Sequence, residues 1–296
     1  MKTLIAAATL LGAGWMALCY MGAALTLSPS RAEFEDRETI AERPVENVTI
    51  ATEDGLKLSA WLLRGDKPDR AVIFLAGITS DRRQGVSRAE YFLSLGYTVL
   101  LPDLRATGKS EGDLVSIGWH ERKDLAACYR YLRDLGYQHV GADGISLGAA
   151  TICYAVDEVP DFAFVILESS YDTIESAFNN RMDLFLIPHI LGAPVRWFAE
   201  RRIGATAEQM RPVDFMTRCK APALIMSGDA EGFLKVSETQ SLYDNCASEI
   251  KRICIFEGGH HENFLRRFPD QYKATVEDFL ADVEATWQDN AMKEAA

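Results

Sequence analysis

A mostly parallel central sheet flanked by helices is the architecture this sequence predicts, and three observations predict it. From about residue 70 onward, short fully apolar runs alternate with helical stretches, the pattern of parallel strands covered on both faces. One interval between consecutive runs is far longer than an ordinary connection and reads as a helical insertion. A charge-free apolar segment comes first. The full expectation is therefore an α/β domain with a helical cap and an N-terminal apolar helix.

The N-terminal segment carries Lys2 as the only charge before Arg31. Leu4 to Leu27 gives 24 residues without a charge. A spanning helix needs roughly 20 apolar residues, whereas the core of a cleaved signal peptide has about 7–15. No clear small-x-small cleavage site follows; Ser28–Ala32 is a weak one, and Leu18 before Cys19 does not suit a lipoprotein site. Residues 1–30 are read as an uncleaved membrane anchor, with a signal cleaved from a secreted protein as the alternative, and 31–296 as the folded domain. Lys2 and the terminal amine lie on one side of the segment, and Glu33, Glu35 and Asp36 on the other. The positive-inside rule then leaves the N-terminus in the cytoplasm and the bulk of the chain outside it.

Residues 46–64 alternate apolar and polar around Glu53-Asp54-Gly55, which predicts an antiparallel hairpin. Ala71–Leu75 is a continuous apolar strand followed by a helix near 85–95. Tyr97–Leu101 is the next strand, ended by Pro102, and an amphipathic helix covers about 118–135. Val140–Gly144, Phe162–Leu167, Ala223–Ser227 and Arg252–Phe256 complete the strands, with helices over Leu147–Val156 and near 235–247 and 270–287. Lengths of four to six residues and Gly, Pro or Asp boundaries favour strands over buried helix. The long interval, roughly 172–215, contains Phe178, Met182, Phe185, Ile190, Trp197 and Phe198. An insertion there would cap the carboxyl edge of the sheet.

The 296 residues carry 43 acidic and 31 basic side chains, a net charge of −12. That balance opposes a nucleic-acid binder, because phosphate contacts need clustered Lys and Arg. The 48% hydrophobic and 25% charged composition is that of a globular protein and excludes disorder or low complexity. Cys128, Cys153, Cys219, Cys246 and Cys254 follow the anchor without a CxxC or Cys/His cluster, so structural zinc is not expected. Cys219–Cys246 and Cys246–Cys254 are conceivable pairs, but small buried apolar side chains are the simpler reading.

The chemistry is concentrated in Gly144-Ile145-Ser146-Leu147-Gly148, a G-x-S-x-G sequence in which a strand runs into the first glycine and a helix begins after the serine. A serine at so tight a turn is lifted above the sheet, at the positive end of a helix. It needs a base to accept its proton. Of five histidines, His139 begins a strand on the far edge, His120 lies on the preceding helix and His189 in the insertion. His260 and His261 follow the last strand, on the edge where Ser146 stands, so elimination leaves this pair. Their His-His-Glu sequence has no second ligand cluster, so no metal is expected. An orienting carboxylate is then due at the end of another strand. Gly228-Asp229-Ala230-Glu231 offers both Asp229 and Glu231, and the chain order Ser, acid, His holds for either. Thr107-Gly108-Lys109-Ser110 imitates the end of a phosphate-binding loop, but the required first glycine is Asp103.

Over roughly residues 45–287 the chain resembles the α/β-hydrolase fold, in the branch of serine hydrolases that is dipeptidyl-aminopeptidase/acylaminoacyl-peptidase-like or esterase/lipase-like. The segments that carry the resemblance are AVIFLAGITSDRR, LGYTVLLPDLRATGKSEG, GISLGAA, APALIMSGDAEGFL and EGGHHENF. The resemblance implies a Ser146–His261–Glu231 triad, with Asp229 as the alternative acid, and an oxyanion hole from the N–H groups of Ile78 and Leu147. It departs from the family at Ala76, where a histidine usually braces the oxyanion loop, and at Glu231, where aspartate is usual. The implied activity is hydrolysis of a carboxylic ester, with amides as a second substrate class, through an acyl-enzyme and without metal or organic cofactor. Small-molecule esters or acyl compounds are the expected substrates. The apolar insertion and anchor add lipids to the candidates. A catalytically silent, membrane-tethered binding protein on the same scaffold is the alternative.

Overall fold

The computed structural model describes residues 1–294. Eight strands form one sheet: β1 (Glu46–Ala51), β2 (Lys57–Leu63), β3 (Arg70–Leu75), β4 (Thr98–Pro102), β5 (His139–Ile145), β6 (Val165–Glu168), β7 (Ala223–Gly228) and β8 (Lys251–Phe256). Their spatial order is β1-β2-β4-β3-β5-β6-β7-β8. The β1–β2 hairpin joins antiparallel to β4, and every pair from β4 through β8 is parallel. The expected mostly parallel sheet is thus present, with its hairpin on one edge.

Alternation of side chains explains why the central strands are apolar throughout. On β3, Ala71, Ile73 and Leu75 enter the core on one face, while Val72 and Phe74 enter the core on the other. The first face is covered by α3 (Glu121–Asp134), α4 (Leu147–Ala155), α7 (Pro212–Met216) and α8 (Val236–Asn245), which contribute Leu125, Ile152, Met216 and Leu242. The second is covered by α2 (Val86–Ser94), α9 (Phe264–Arg267) and α10 (Pro269–Glu294), through Phe92, Leu265, Tyr272 and Phe279. Cys128, Cys153, Cys219 and Cys246 are free thiols inside the first core.

Between β6 and β7 stand α5 (Ile174–Leu184) and α6 (His189–Ile203), followed by α7. The Thr173 hydroxyl caps α5 by accepting from the Ser176 N–H at 3.0 Å, and Gly204 ends α6 in a left-handed conformation, φ 77°. These helices are the cap. The apolar N-terminal helix α1 (Lys2–Thr26) does not hang free of them. Its last turns bury Cys19, Ala23 and Leu27, and Leu27 shares a small core with Ile174, Ala177 and Ile203 of the cap. Ser30–Arg31 then pairs in parallel with Thr107–Gly108, and the Arg31 guanidinium donates to the carbonyls of Ser110 and, at 2.7 Å, Gly112.

Candidate active site

Sterics dictate the turn that carries Ser146. A Cβ on Gly144 would lie 2.5 Å from the Gly148 carbonyl carbon, and one on Gly148 would lie 2.2 Å from the Leu75 carbonyl oxygen. Only glycine lets β5, the turn and α4 approach β3 this closely. Ser146 itself takes φ 54° and ψ −111°, a conformation a non-glycine residue holds only when its surroundings enforce it. The enforcement is visible. The Ser146 N–H donates to the Glu168 carbonyl at 2.8 Å, and the Ser146 carbonyl accepts from Ala150 at 3.0 Å.

Below this turn lies a fully buried charged group of Arg88, Glu168 and Asp143, close to the serine in sequence or in space. Arg88 pairs with the Glu168 carboxylate, approaches Asp143 at 3.8 Å and covers the Tyr272 ring at 4.2 Å. Burial pushes the Asp143 carboxyl up to about 7 against the opposing pull of Arg88, and burial raises Glu168 in the same way.

The histidine and its carboxylate come from loops that the backbone forces together. A Cβ on Gly228 would fall 2.0 Å from the Gly259 carbonyl oxygen, so the ends of β7 and β8 touch main chain to main chain. The Ala230 N–H donates to that same Gly259 carbonyl at 3.0 Å. Across this contact, His261 Nδ1 stands 2.7 Å from Glu231 Oε2. Glu231 is fully buried as a side chain, and its other oxygen accepts from Ser169 Oγ at 2.5 Å and from the Gly228 N–H at 3.0 Å. Both carboxylate oxygens are therefore occupied, as a buried charge requires.

Asp229 is placed differently. It is exposed and accepts from the Gly258 N–H at 2.7 Å, bracing the turn after β8. Of the two carboxylates that the sequence left open, the structure brings Glu231 to the imidazole. The other histidines are occupied elsewhere. His260 Nδ1 bonds the Ala230 carbonyl at 2.8 Å, His120 Nε2 the Ile203 carbonyl at 2.8 Å, His139 stacks on Trp287 at 3.9 Å, and His189 meets Asp183 at 2.8 Å.

Ser146 and His261 face one cavity of about 160 Å³, with Gly77, Ile78, Ser169 and Asn263 also in its wall. Ile78 follows the bare backbone of Gly77, where a Cβ would sit 3.7 Å from the Ser146 Cβ. Leu147 is the first residue of α4, so its N–H belongs to the amides that find no partner within the helix. Two residues here were missed in the sequence. Gln84 Oε1 accepts from the Gly77 N–H at 2.8 Å, supplying a brace to the loop in which Ala76 replaces the usual histidine. Ser169 holds Glu231 and has φ 55°. With Thr79 at φ 63°, three non-glycine residues at the cavity or beside its wall sit in the left-handed region, which is where strain gathers at functional sites. No pattern of residue types signals that. The Thr107–Ser110 loop is purely structural: Asp103 accepts from the Lys109 N–H at 2.7 Å and from buried Arg82.

Known proteins share this fold. The sequence profile of the X-Pro dipeptidyl-peptidase (S15) family matches residues 26–193, more than half of the chain. An uncharacterized Bacillus subtilis protein, YqkD, is 27% identical over 221 residues, 73% of this chain and 72% of its own. An uncharacterized membrane protein of Saccharomyces cerevisiae, YNL320W, is 23% identical over 240 residues, 80% of each chain. The crystal structure of the Pyrococcus furiosus esterase Pf2001 superposes with a TM-score of 0.74 at 27% identity, covering 87% of this chain and 98% of that one. Strand order, the G-x-S-x-G turn and these likenesses converge: the chain belongs to the X-Pro dipeptidyl-peptidase (S15) family and is a serine hydrolase of the α/β-hydrolase fold.

Proposed function

We propose that this hydrolase cleaves carboxylic esters through an acyl-enzyme, with Ser146 as nucleophile, His261 as general base and acid, and Glu231 orienting the imidazole. The observation that carries the reading is the 2.7 Å contact of His261 Nδ1 with the buried Glu231 carboxylate, on an imidazole that shares its cavity with Ser146. Nδ1 held as a donor leaves Nε2 free to take a proton. The Ser146 oxygen attacks the carbonyl carbon while its proton passes to His261. The ester C–O bond then breaks, and the proton goes to the departing alcohol. Water, deprotonated by His261, attacks the acyl group and returns the serine hydroxyl. The N–H groups of Ile78 and Leu147 stabilise the oxyanion, each worth about 3–4 kcal/mol in comparable sites.

The likeness to the Pyrococcus furiosus esterase favours esters, and the S15 family name makes X-Pro amides the second class. Helix α1 contains an apolar span over Thr9–Thr26, and the yeast relative is called a membrane protein. Both support a membrane anchor, and Lys2 before the span with Glu33, Glu35 and Asp36 after it favours a catalytic domain outside the cytoplasm. A fluorophosphonate probe and p-nitrophenyl acetate test the chemistry together. The wild-type protein is labelled and turns over the ester, and Ser146→Ala does neither, with turnover down about 10³-fold or more. An unlabelled wild type would instead mark a silent binding protein, and faster cleavage of an X-Pro anilide than of the ester would move the substrate to peptides.

A further inference from the structure

We infer that the tip of the cap docks into the same bilayer that holds α1, and that the substrate is an ester whose long acyl chain reaches Ser146 from that bilayer; the substrate part rests on the ester hydrolysis proposed above. The tip is the turn between α5 and α6. It exposes Leu184, Phe185, Leu186, Ile187, Ile190 and Leu191, with Phe185 at 66%, Leu186 at 90% and Ile190 at 79% accessibility. No Asp, Glu, Lys or Arg occurs between Asp183 and Arg196, in a chain of which a quarter is charged. Contiguous apolar surface of this kind marks an interaction site.

The seating of α1 identifies what covers the tip. Helix α1 runs along α6 in the same sense: Met16 borders a surface hollow with Ala193, Pro194 and Trp197, Tyr20 packs edge-on against Phe198 at 5.4 Å, and Leu27 shares a core with Ile203. Followed back toward its N-terminus, α1 thus leaves the domain on the side to which the beginning of α6, and the tip with it, points. Whatever medium surrounds the exposed Leu10 and Leu11 of α1 also meets Leu186 and Ile190. Trp15 and Tyr20 of α1 and Trp197 of α6 are half-exposed, as aromatic side chains are at a bilayer surface. Exposed Arg201, stacked on Trp197 at 4.3 Å, and exposed Arg202 supply charges for lipid headgroups.

The catalytic cavity lies between these two membrane-directed parts. On one side Ser30, four residues beyond the end of α1, donates its hydroxyl to the Thr79 carbonyl of the oxyanion loop at 3.2 Å. On the other, the Phe233 ring meets the His261 ring at 5.6 Å, and Leu184 at the root of the tip comes within 3.5 Å of where a Cβ on Gly232 would stand. A cavity of about 160 Å³ holds the reacting ester group and little more. A long acyl chain must therefore run outward, and Phe233 and Leu184 give it an apolar route to the tip.

The test uses the full chain reconstituted in phosphatidylcholine vesicles. A nitrobenzoxadiazole label on Leu186→Cys is expected to lose most of its emission to spin-labelled acyl chains, while the same label on Asp134→Cys, at the opposite edge of the sheet, keeps it. A tip label that stays bright overturns the docking, whichever partner covers the tip instead, and this arm needs no catalysis. In parallel, the triple change Phe185→Glu, Leu186→Glu and Ile190→Glu should leave p-nitrophenyl acetate turnover unchanged and lower turnover of a vesicle-borne long-chain ester about tenfold or more, because apolar burial at the interface sets the binding strength. Equal effects on both esters, or none on either, overturn delivery from the bilayer. Absence of all ester turnover in the wild type would refute the hydrolysis itself and leave the quenching result to decide the docking.

Discussion

The Ser146 turn and the cap tip are both short connections built from small and apolar residues, yet they obey opposite constraints. Around Ser146, Ile145, Leu147 and Ala149 are buried and two glycines have no room for a methyl group. At the tip, Leu184 to Ile190 stand in the open, and each exposed large side chain forgoes the roughly 2 kcal/mol that burial would bring. The first region is specified by the atoms around it, to within tenths of an ångström. The second has almost no protein neighbours to specify it, so its composition answers to its surroundings. A rigid edge at Ser146 and an apolar prow on one domain are what the proposed hydrolysis at a lipid surface requires.

The largest expected effect breaks the rigid side. Glu231→Gln keeps the shape but removes the charge facing His261 Nδ1, and turnover of p-nitrophenyl acetate should fall about 10³-fold. Asp229→Asn only alters a turn brace and should change turnover less than about twofold; the reverse ranking in kcat would reassign the acid. Next comes Gly148→Ala, which drives a Cβ into the Leu75 carbonyl and should cost about 3 kcal/mol in urea unfolding, the upper range for overpacking. A cost under about 0.5 kcal/mol would show that the turn has slack.

A smaller effect concerns the charges under the turn. Asp143 titrates near 7 in the folded protein because burial penalises its charged form, against about 3.9 in an unfolded chain. Between those values the unfolded state has already released a proton that the folded state still holds. Stability from this group is therefore full below about pH 4 and is lost as pH rises through about 7. Asp143→Asn should flatten that part of the urea midpoint plotted against pH, leaving the shares of Asp124, which burial also pushes up to about 7, and of Glu168, which burial raises. An unchanged slope would mean that Arg88 keeps Asp143 ionised throughout. The smallest effect belongs to the tip. Leu186 holds φ 54°, where glycine carries no Cβ penalty, so Leu186→Gly should stabilise the detergent-solubilised protein by about 1 kcal/mol. Destabilisation instead would mean that the leucine is packed, and the contrast with the turn would fail.

Much of this was legible along the chain, and the reasons are local. The fully apolar run Ala71–Leu75 can only be buried on both faces, and the observed strand has its alternate residues in two separate cores. Gly144 and Gly148 report a close approach whatever the rest of the fold does. The pair His260 and His261 emerged because the other three histidines lie at the amino edge, on a helix or in the insertion, and it was the family resemblance that favoured His261 of the two. Asp229 and Glu231 resisted, since chain order suits both. The main-chain contact of Gly228 with Gly259 chooses between them by fixing which carboxylate reaches across.

Gln84 and Ser169 left no trace in any motif. Their work is a single hydrogen bond each, to Gly77 and to Glu231, and a hydrogen bond between distant residues has no sequence period. The α1 segment is the sharpest case. An uncharged apolar run reads the same in lipid and in protein, because hydrophobic burial is non-directional. Residue order by itself determined the sheet, the tight glycine-flanked turn at Ser146 and the need for an apolar environment. Only the tertiary structure decided which carboxylate meets the imidazole and that the foot of α1 lies on the cap, because those contacts depend on the distances between loop ends that the sheet brings together.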